Sequence, residues 1–376
     1  MIPSVVDYFL SLVRIESESG DERKVALKLI EDLKELKAEI FMDEVHLQTG
    51  GNCGNLYAFF PGNIPVEPIL FCAHLDTVKP GKGIKPQIID NRIMSDGTTI
   101  LGADDKSGIA EIICAVKEMI ASGEKMPPVE VLFTVSEEVG LLGAKGVDYS
   151  RLKSKIGYAL DGHNIGEMLI SAPAQNSMKF TVHGKEAHAG VEPEKGINAI
   201  KAAAAAIVKM PSGRIDFETT ANIGLINGGK ATNIVPPSVK IEAEVRSHNM
   251  QKLEKVTSEY ITALEQCVSD YSTDSIKVKV VQDIKRVYQS FHIPAESTPV
   301  KLGLAASEKL GITSKILSGG GGSDANIFNQ NGMQVIIAGS GMQAVHTTDE
   351  YIEIAQLELG VSWLKEIIRL YGTSGN

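Results

Sequence analysis

Apolar residues recur along this chain with two different periods, and the alternation between the periods outlines an architecture. From Asp21 to Leu36 they stand at Val25, Leu29, Leu33 and Leu36, a helical spacing with Ser19 or Asp21 placed to cap it. "NLYAFFPG" and "ILFCAHLD" then read as buried strands, Lys106 to Ser122 as a helix, and "VEVLFTVSEE" and "IGYALDGH" as further strands, apolar almost without interruption. Strands of that kind, alternating with helices, predict an α/β domain whose mainly parallel sheet is covered on both faces.

After roughly Ala174 the order changes. Met178 to His183 alternates as a strand, Asn198 to Met210 is an alanine-rich helix, and Ala221 to Asn227 and Val239 to Arg246 are strands. A long helix over Gln251 to Tyr271 and a strand at Ile276 to Val281 complete the order β-α-β-β-α-β, the ferredoxin-like arrangement. Beyond about Ser290 the first pattern resumes, with helices at Val300 to Leu310 and Ile354 to Tyr371 around a strand at Gln334 to Ala338. The expected organisation is one domain over 1–174 and 288–376, interrupted by a second over 175–287. There is no internal repeat.

A chain of 376 residues exceeds what one core usually organises, which agrees with two domains. The net charge of -10 is spread over the length without a basic run, so no nucleic-acid partner is expected. "MIPSVVDYFLSLVRIES" carries Asp7 inside its apolar stretch and reads as a short amphipathic helix, not a signal peptide. Nothing approaches the ~20 apolar residues of a membrane span, so no membrane partner is expected. Cys53, Cys72, Cys114 and Cys267 are scattered without CxxC spacing, as free thiols in a reducing cytoplasm would be.

The chemistry lies at strand ends. "FCAHLDTV" puts His74 and Asp76 at the carboxyl end of one strand, "TVSEEVG" puts Glu137 and Glu138 at the end of another, and "ALDGH" puts Asp161 at a third. Asp104 opens the helix that follows "LGADDKSG". Ligands of open α/β sheets bind beyond the carboxyl ends of the strands, so these stretches converge if their strands are neighbours. Singly, His74 reads as a core histidine and Glu137-Glu138 as a solvated loop. Together they place several carboxylates in a dry crevice, a cost of several kcal/mol unless a cation neutralises them. Histidine with carboxylates and no thiolate suits zinc, with manganese or cobalt tolerable, and one aspartate can bridge two ions ~3.5 to 4 Å apart. The Gly319 to Gly322 run lacks the Lys-Ser/Thr of a phosphate cradle and reads as a loop that approaches a substrate backbone closely, Gly320 and Gly321 at its centre. His163, His183, His248 and His292 have no supporting neighbours and read as structural or surface residues.

"HLDTV", "DGTTILGADDKSGIAEII", "SEEVGLLGA", "ALDG", "SGGGGSDAN" and "VHTTDE", in that order, resemble the M20 metallopeptidases, most closely their peptidase T branch. The resemblance spans nearly the whole chain. It implies a zinc-peptidase α/β catalytic domain interrupted by a ferredoxin-like α+β lid through which two copies dimerise. It implies two zinc ions, one held by His74 and Asp161, the other by Glu138 and His346, bridged by Asp104. Asp105 is then structural, and a cis peptide follows Asp104. Asp76 orients His74, and Glu137 is the general base that takes a proton from the attacking water and delivers it to the leaving amine. His188 in "GKEAHAG" acts on the oxyanion in the partner subunit, Arg246 pairs with a substrate carboxylate, and Asn233 lies near the substrate. The implied activity is hydrolysis of short peptides, as an aminopeptidase on tripeptides. Carboxypeptidases and deacylases of N-acyl amino acids share the constellation and stay open, as does a peptide-binding protein without catalysis, for which loss of Glu137 would be expected.

Overall fold

A computed structural model of the chain describes residues 3–373, so the first two residues of the amphipathic N-terminal stretch and the last three of the chain lie outside the described residues. Its described residues form two compact units, one of 3–171, 292–319 and 323–373, the other of 172–291 with 320–322.

The first unit is organised by four parallel strands, Val129–Thr134, Ile69–His74, Ile156–Gly162 and Gln334–Gly339, adjacent in that order. Every residue of the first two is buried, which is why they read as unbroken apolar runs. Glu39–Met42 and Leu56–Phe60 extend one side in antiparallel fashion, and Glu167–Ala172 extends the other. Helices Ala103–Ser122 and Ile354–Thr373 pack together against this sheet, with Trp363 edge-on to Tyr158 at 5.7 Å and Tyr158 stacked on Phe71 at 5.8 Å. Gly108 lets the first helix approach closely, since a Cβ there would stand 2.7 Å from the Leu160 side chain. A small sheet of Gln87–Ile89, Arg92–Met94, Met342–Gln343 and Tyr351–Glu353 has no counterpart in the sequence reading, because strands of two or three residues are too short to show a period.

The second unit is an antiparallel sheet in the order Gly213–Asp216, Thr219–Gly228, Ser238–Ser247, Ala174–His183, Lys279–Tyr288, with helices Ala199–Lys209 and Met250–Tyr271. Apart from the short edge strand Gly213–Asp216, this is the ferredoxin-like arrangement. Ala174–His183 and Ser238–Ser247 alternate buried and less buried positions, and Met178, Phe180, Ile241 and Val245 meet Ala202, Ala206, Leu253 and Tyr260 in one core. Asn198 and Asn249 cap the two helices. The last strand runs to Tyr288, past the predicted Val281, because its later residues are largely charged or polar, as suits a strand at the sheet edge.

Among the described residues no helix is long and apolar enough to cross a membrane.

Candidate metal centre

The three strands that end in His74, Thr134 and Asp161-Gly162 are immediate neighbours, with His74 opposite Thr134 and Cys72 opposite Ala159. Their parallel sense brings the chemistry that follows them to one edge. The cis peptide between Asp104 and Asp105 lies beside it, at the start of the helix Ala103–Ser122. Asp104 Oδ1 is 2.9 Å from His74 Nε2, and Asp104 Oδ2 is 3.1 Å from His346 Nε2. Glu138 Oε1 is 3.0 Å from the same His346 nitrogen. Donor atoms of His74, Asp104 and Glu138 lie within 4.8 Å of one another, a group that could hold a metal ion. His74, Asp104 and Glu137 are buried, whereas the His346 side chain is 51% exposed and occupies the rim.

Burial and close charged neighbours shift the proton affinities of these groups strongly. Burial raises the proton affinity of Glu137 and lifts Asp161 to about 8, the Asp104 charge adding to the latter. Burial opposes ionisation of Asp104 too, but the His346 and His74 imidazoles overcome it and hold that carboxyl low. Burial also opposes protonation of His74, and there the Asp104 and Asp76 carboxylates prevail and raise it. His346 is raised to about 10 by Asp104 and then Glu138. His74, Glu137 and Asp161, together with Asp324, line a cavity of about 10 Å³, the space of roughly one water. Asp324, which follows the glycine run, accepts the Thr134 hydroxyl through one oxygen, while its other oxygen is buried without a hydrogen bond.

Asp76 engages more than His74. His74 Nδ1 meets the Asp76 backbone oxygen at 2.9 Å and its carboxylate at 3.4 Å. The carboxylate also accepts the backbone N–H of Glu137 at 2.9 Å and of Glu138 at 3.2 Å, and the Ser19 hydroxyl at 2.7 Å. Behind that turn Ser136 has a left-handed backbone, φ 54°, and buried Glu22 accepts both its N–H and its hydroxyl at 3.1 Å. Asp105 is fully buried and accepts the His74 backbone N–H at 3.1 Å.

In the second unit, His188 and Asn233 are exposed on neighbouring loops joined by a hydrogen bond from Ala189 N–H to Asn233 O at 2.9 Å. His188 Nδ1 accepts the Gly190 N–H at 3.2 Å, so the neutral ring carries its proton on Nε2. Arg246 makes a two-pronged contact with Glu244, at 3.0 and 3.2 Å. Gly321 lies beside it, a Cβ there falling 3.7 Å from Arg246 Nη1, and neighbouring Gly320 has open space around it. Gly322 faces the Tyr288 ring too closely for any side chain. His163 turns Nδ1 to the Met342 carbonyl at 3.2 Å.

The peptidase dimerisation domain model of the M20 family matches residues 174–271, and the peptidase family M28 model matches residues 55–193. The crystal structure of aminopeptidase PepT from Bacillus cereus is 40% identical, covers 97% of each chain and superposes with a TM-score of 0.85. A tripeptidase from Staphylococcus aureus is 34% identical, covers 98% of each chain and has a TM-score of 0.92. Peptidase T of Halothermothrix orenii is 27% identical over 98% of this chain and 99% of its own length. With the two-unit fold and the convergent His, Asp and Glu side chains, these likenesses establish that the chain belongs to the M20 metallopeptidases, in their peptidase T branch, and hydrolyses peptides.

Proposed function

We propose that the chain is a dizinc aminopeptidase that releases the N-terminal residue of short peptides, tripeptides foremost. The observation that carries this reading is Asp104, whose two oxygens face two different imidazoles at 2.9 and 3.1 Å. Asp104 is thus suited to bridge one ion held by His74 and Asp161 and a second held by Glu138 and His346. Nitrogen and oxygen donors without a thiolate suit zinc, with cobalt or manganese accommodated by the same set. Such ions, when bound, supply Lewis acidity and lower the pKa of a water towards neutrality.

The protein's own groups do the rest. Glu137 takes the proton of the attacking water and returns it to the departing amine. Asp76 holds the backbone from which Glu137 projects. His188 offers its Nε2 proton to the oxyanion in the second copy of a homodimer, a reading supported by the match to the dimerisation domain. Arg246 presents a planar fork to a substrate carboxylate, and Asn233, Gly320 and Gly321 face the peptide backbone. The names of the two solved relatives, an aminopeptidase and a tripeptidase, support the choice of peptide end and length. Four free, buried cysteines support residence in the cytoplasm.

The test is to incubate zinc-loaded protein with Leu-Gly-Gly and with its N-acetylated form, with and without a chelator, and to identify the products by mass spectrometry. Chelator-sensitive release of leucine from the free peptide alone is expected. Release of acetate or of C-terminal glycine from the blocked peptide would overturn the aminopeptidase reading in favour of a deacylase or carboxypeptidase. No hydrolysis of either would leave a peptide-binding role.

A further inference from the structure

The segment Ala103–Ser122 is kinked near its start, where Asp104 and Asp105 have non-helical backbone angles, so the N–H groups of Leu101, Gly102 and Asp104 lie outside regular helical bonding and need partners from elsewhere. They find them in Glu350. Its Oε2 accepts the N–H groups of Leu101 and Gly102, both at 2.7 Å, and its Oε1 accepts that of Asp104 at 3.0 Å. Glu350 is 1% exposed. It also stands four residues after His346, whose Nε2 is 3.1 Å from Asp104 Oδ2. One short segment therefore contributes the imidazole that faces one Asp104 oxygen and the carboxylate that grips the Asp104 backbone.

We propose that Glu350 is the positioning residue that sets Asp104 across the two metal positions, an assignment that rests on the dizinc reading above. Both of its oxygens are used, on either side of the Gly102-Ala103 step, so the backbone is held on both sides of a point where rotation would swing the Asp104 carboxylate away from one imidazole. Glutamine cannot reproduce this, because its single carbonyl can serve one side only and its NH2 must then face a backbone N–H on the other.

The test is zinc affinity, measured by competition with a chromophoric chelator, together with kcat and KM on Leu-Gly-Gly, for wild type, Glu350→Gln, Glu350→Asp, Asp104→Asn and Ala115→Gly. The last loosens the same helix far from its N-terminus. Glu350→Gln is expected to weaken zinc binding by about 10- to 100-fold, the scale seen when a partner that orients a metal ligand is removed. Its kcat should fall while KM stays within about 2-fold. Glu350→Asp keeps the charge but draws the carboxylate back by one methylene, and it should also weaken zinc binding, which keeps the test informative if Glu350→Gln does not fold. Ala115→Gly should lower the melting temperature and leave zinc affinity at the wild-type value. Wild-type affinity and kcat in both Glu350 variants, with zinc lost in Asp104→Asn, would overturn the role of Glu350 alone. Unchanged zinc binding in Asp104→Asn would overturn the bridging role of Asp104 on which that of Glu350 depends.

Discussion

The Asp76 carboxylate accepts the backbone N–H of Glu137 at 2.9 Å, and so fixes the point from which the proposed general base projects. Its other oxygen takes the N–H of Glu138 at 3.2 Å, so a single buried side chain orients both acidic residues of the "SEE" turn. An asparagine has one acceptor oxygen and would turn its NH2 towards one of those donors. Asp76→Asn is expected to lower kcat on a tripeptide by about 10- to 100-fold with little change in KM. Steady-state kinetics decide it, and an unchanged kcat would mean that this anchoring is not used in turnover.

Asp104 supplies an oxygen towards each of two imidazoles, and asparagine retains only one carbonyl for that purpose. Asp104→Asn is expected to hold about one zinc per chain or fewer after gel filtration, and the wild type two. Elemental analysis of the folded variant reads this directly. Two ions in the variant would remove the bridging role.

Glu137 is buried beside His74 and Asp161 but is not needed to hold either proposed ion. Glu137→Gln should retain both ions and lose turnover by at least ~100-fold, the usual scale for loss of a general base. Retained turnover would assign the proton transfer to another group.

The metal-free protein should lose stability as pH rises. Without a cation His346 is raised from 6.5 to about 10 by Asp104 and then Glu138, and burial lifts Asp161 from 3.8 to about 8, Glu350 from 4.5 to about 7 and Asp324 from 3.8 to about 6. Each folded value exceeds its unfolded one, so the folded state binds more protons between about pH 4 and 10. The associated stability is complete below the unfolded values and is lost as pH rises through the folded ones. Asp104, held low, acts in the opposite sense, but only below about pH 4. The melting temperature of the metal-free protein should therefore fall from pH 5 to pH 9, and zinc binding should release protons, measurable by calorimetry in buffers of different ionisation enthalpy. A melting temperature that rises over that range would contradict the assignment of these groups.

Much of the architecture was legible because the parallel strands are buried on both faces and helices such as Ala199–Lys209 and Met250–Tyr271 carry one apolar stripe. The strand-end residues were legible for a related reason: His74, Glu137, Glu138 and Asp161 interrupt apolar runs where packing alone gives no cause for charge. The supports behind them were not. Glu350 meets Leu101 across 249 residues and Glu22 meets Ser136 across 114, and nothing local distinguishes either glutamate from a solvated one. Asp324 shared that obscurity until the fold brought Thr134 and the cavity to it. The spacing of Asp76 from His74 is visible in the sequence, but its bonds to the Glu137 and Glu138 backbone depend on two strands being neighbours.

A pair of ions bridged by Asp104 would support peptide hydrolysis only when both are bound, which a titration of metal-free protein with zinc reads while leucine release from Leu-Gly-Gly is followed. No release is expected without zinc, and the rate should reach its plateau at two equivalents per chain. A full rate at one equivalent, or hydrolysis by protein shown to be free of metal, would contradict it.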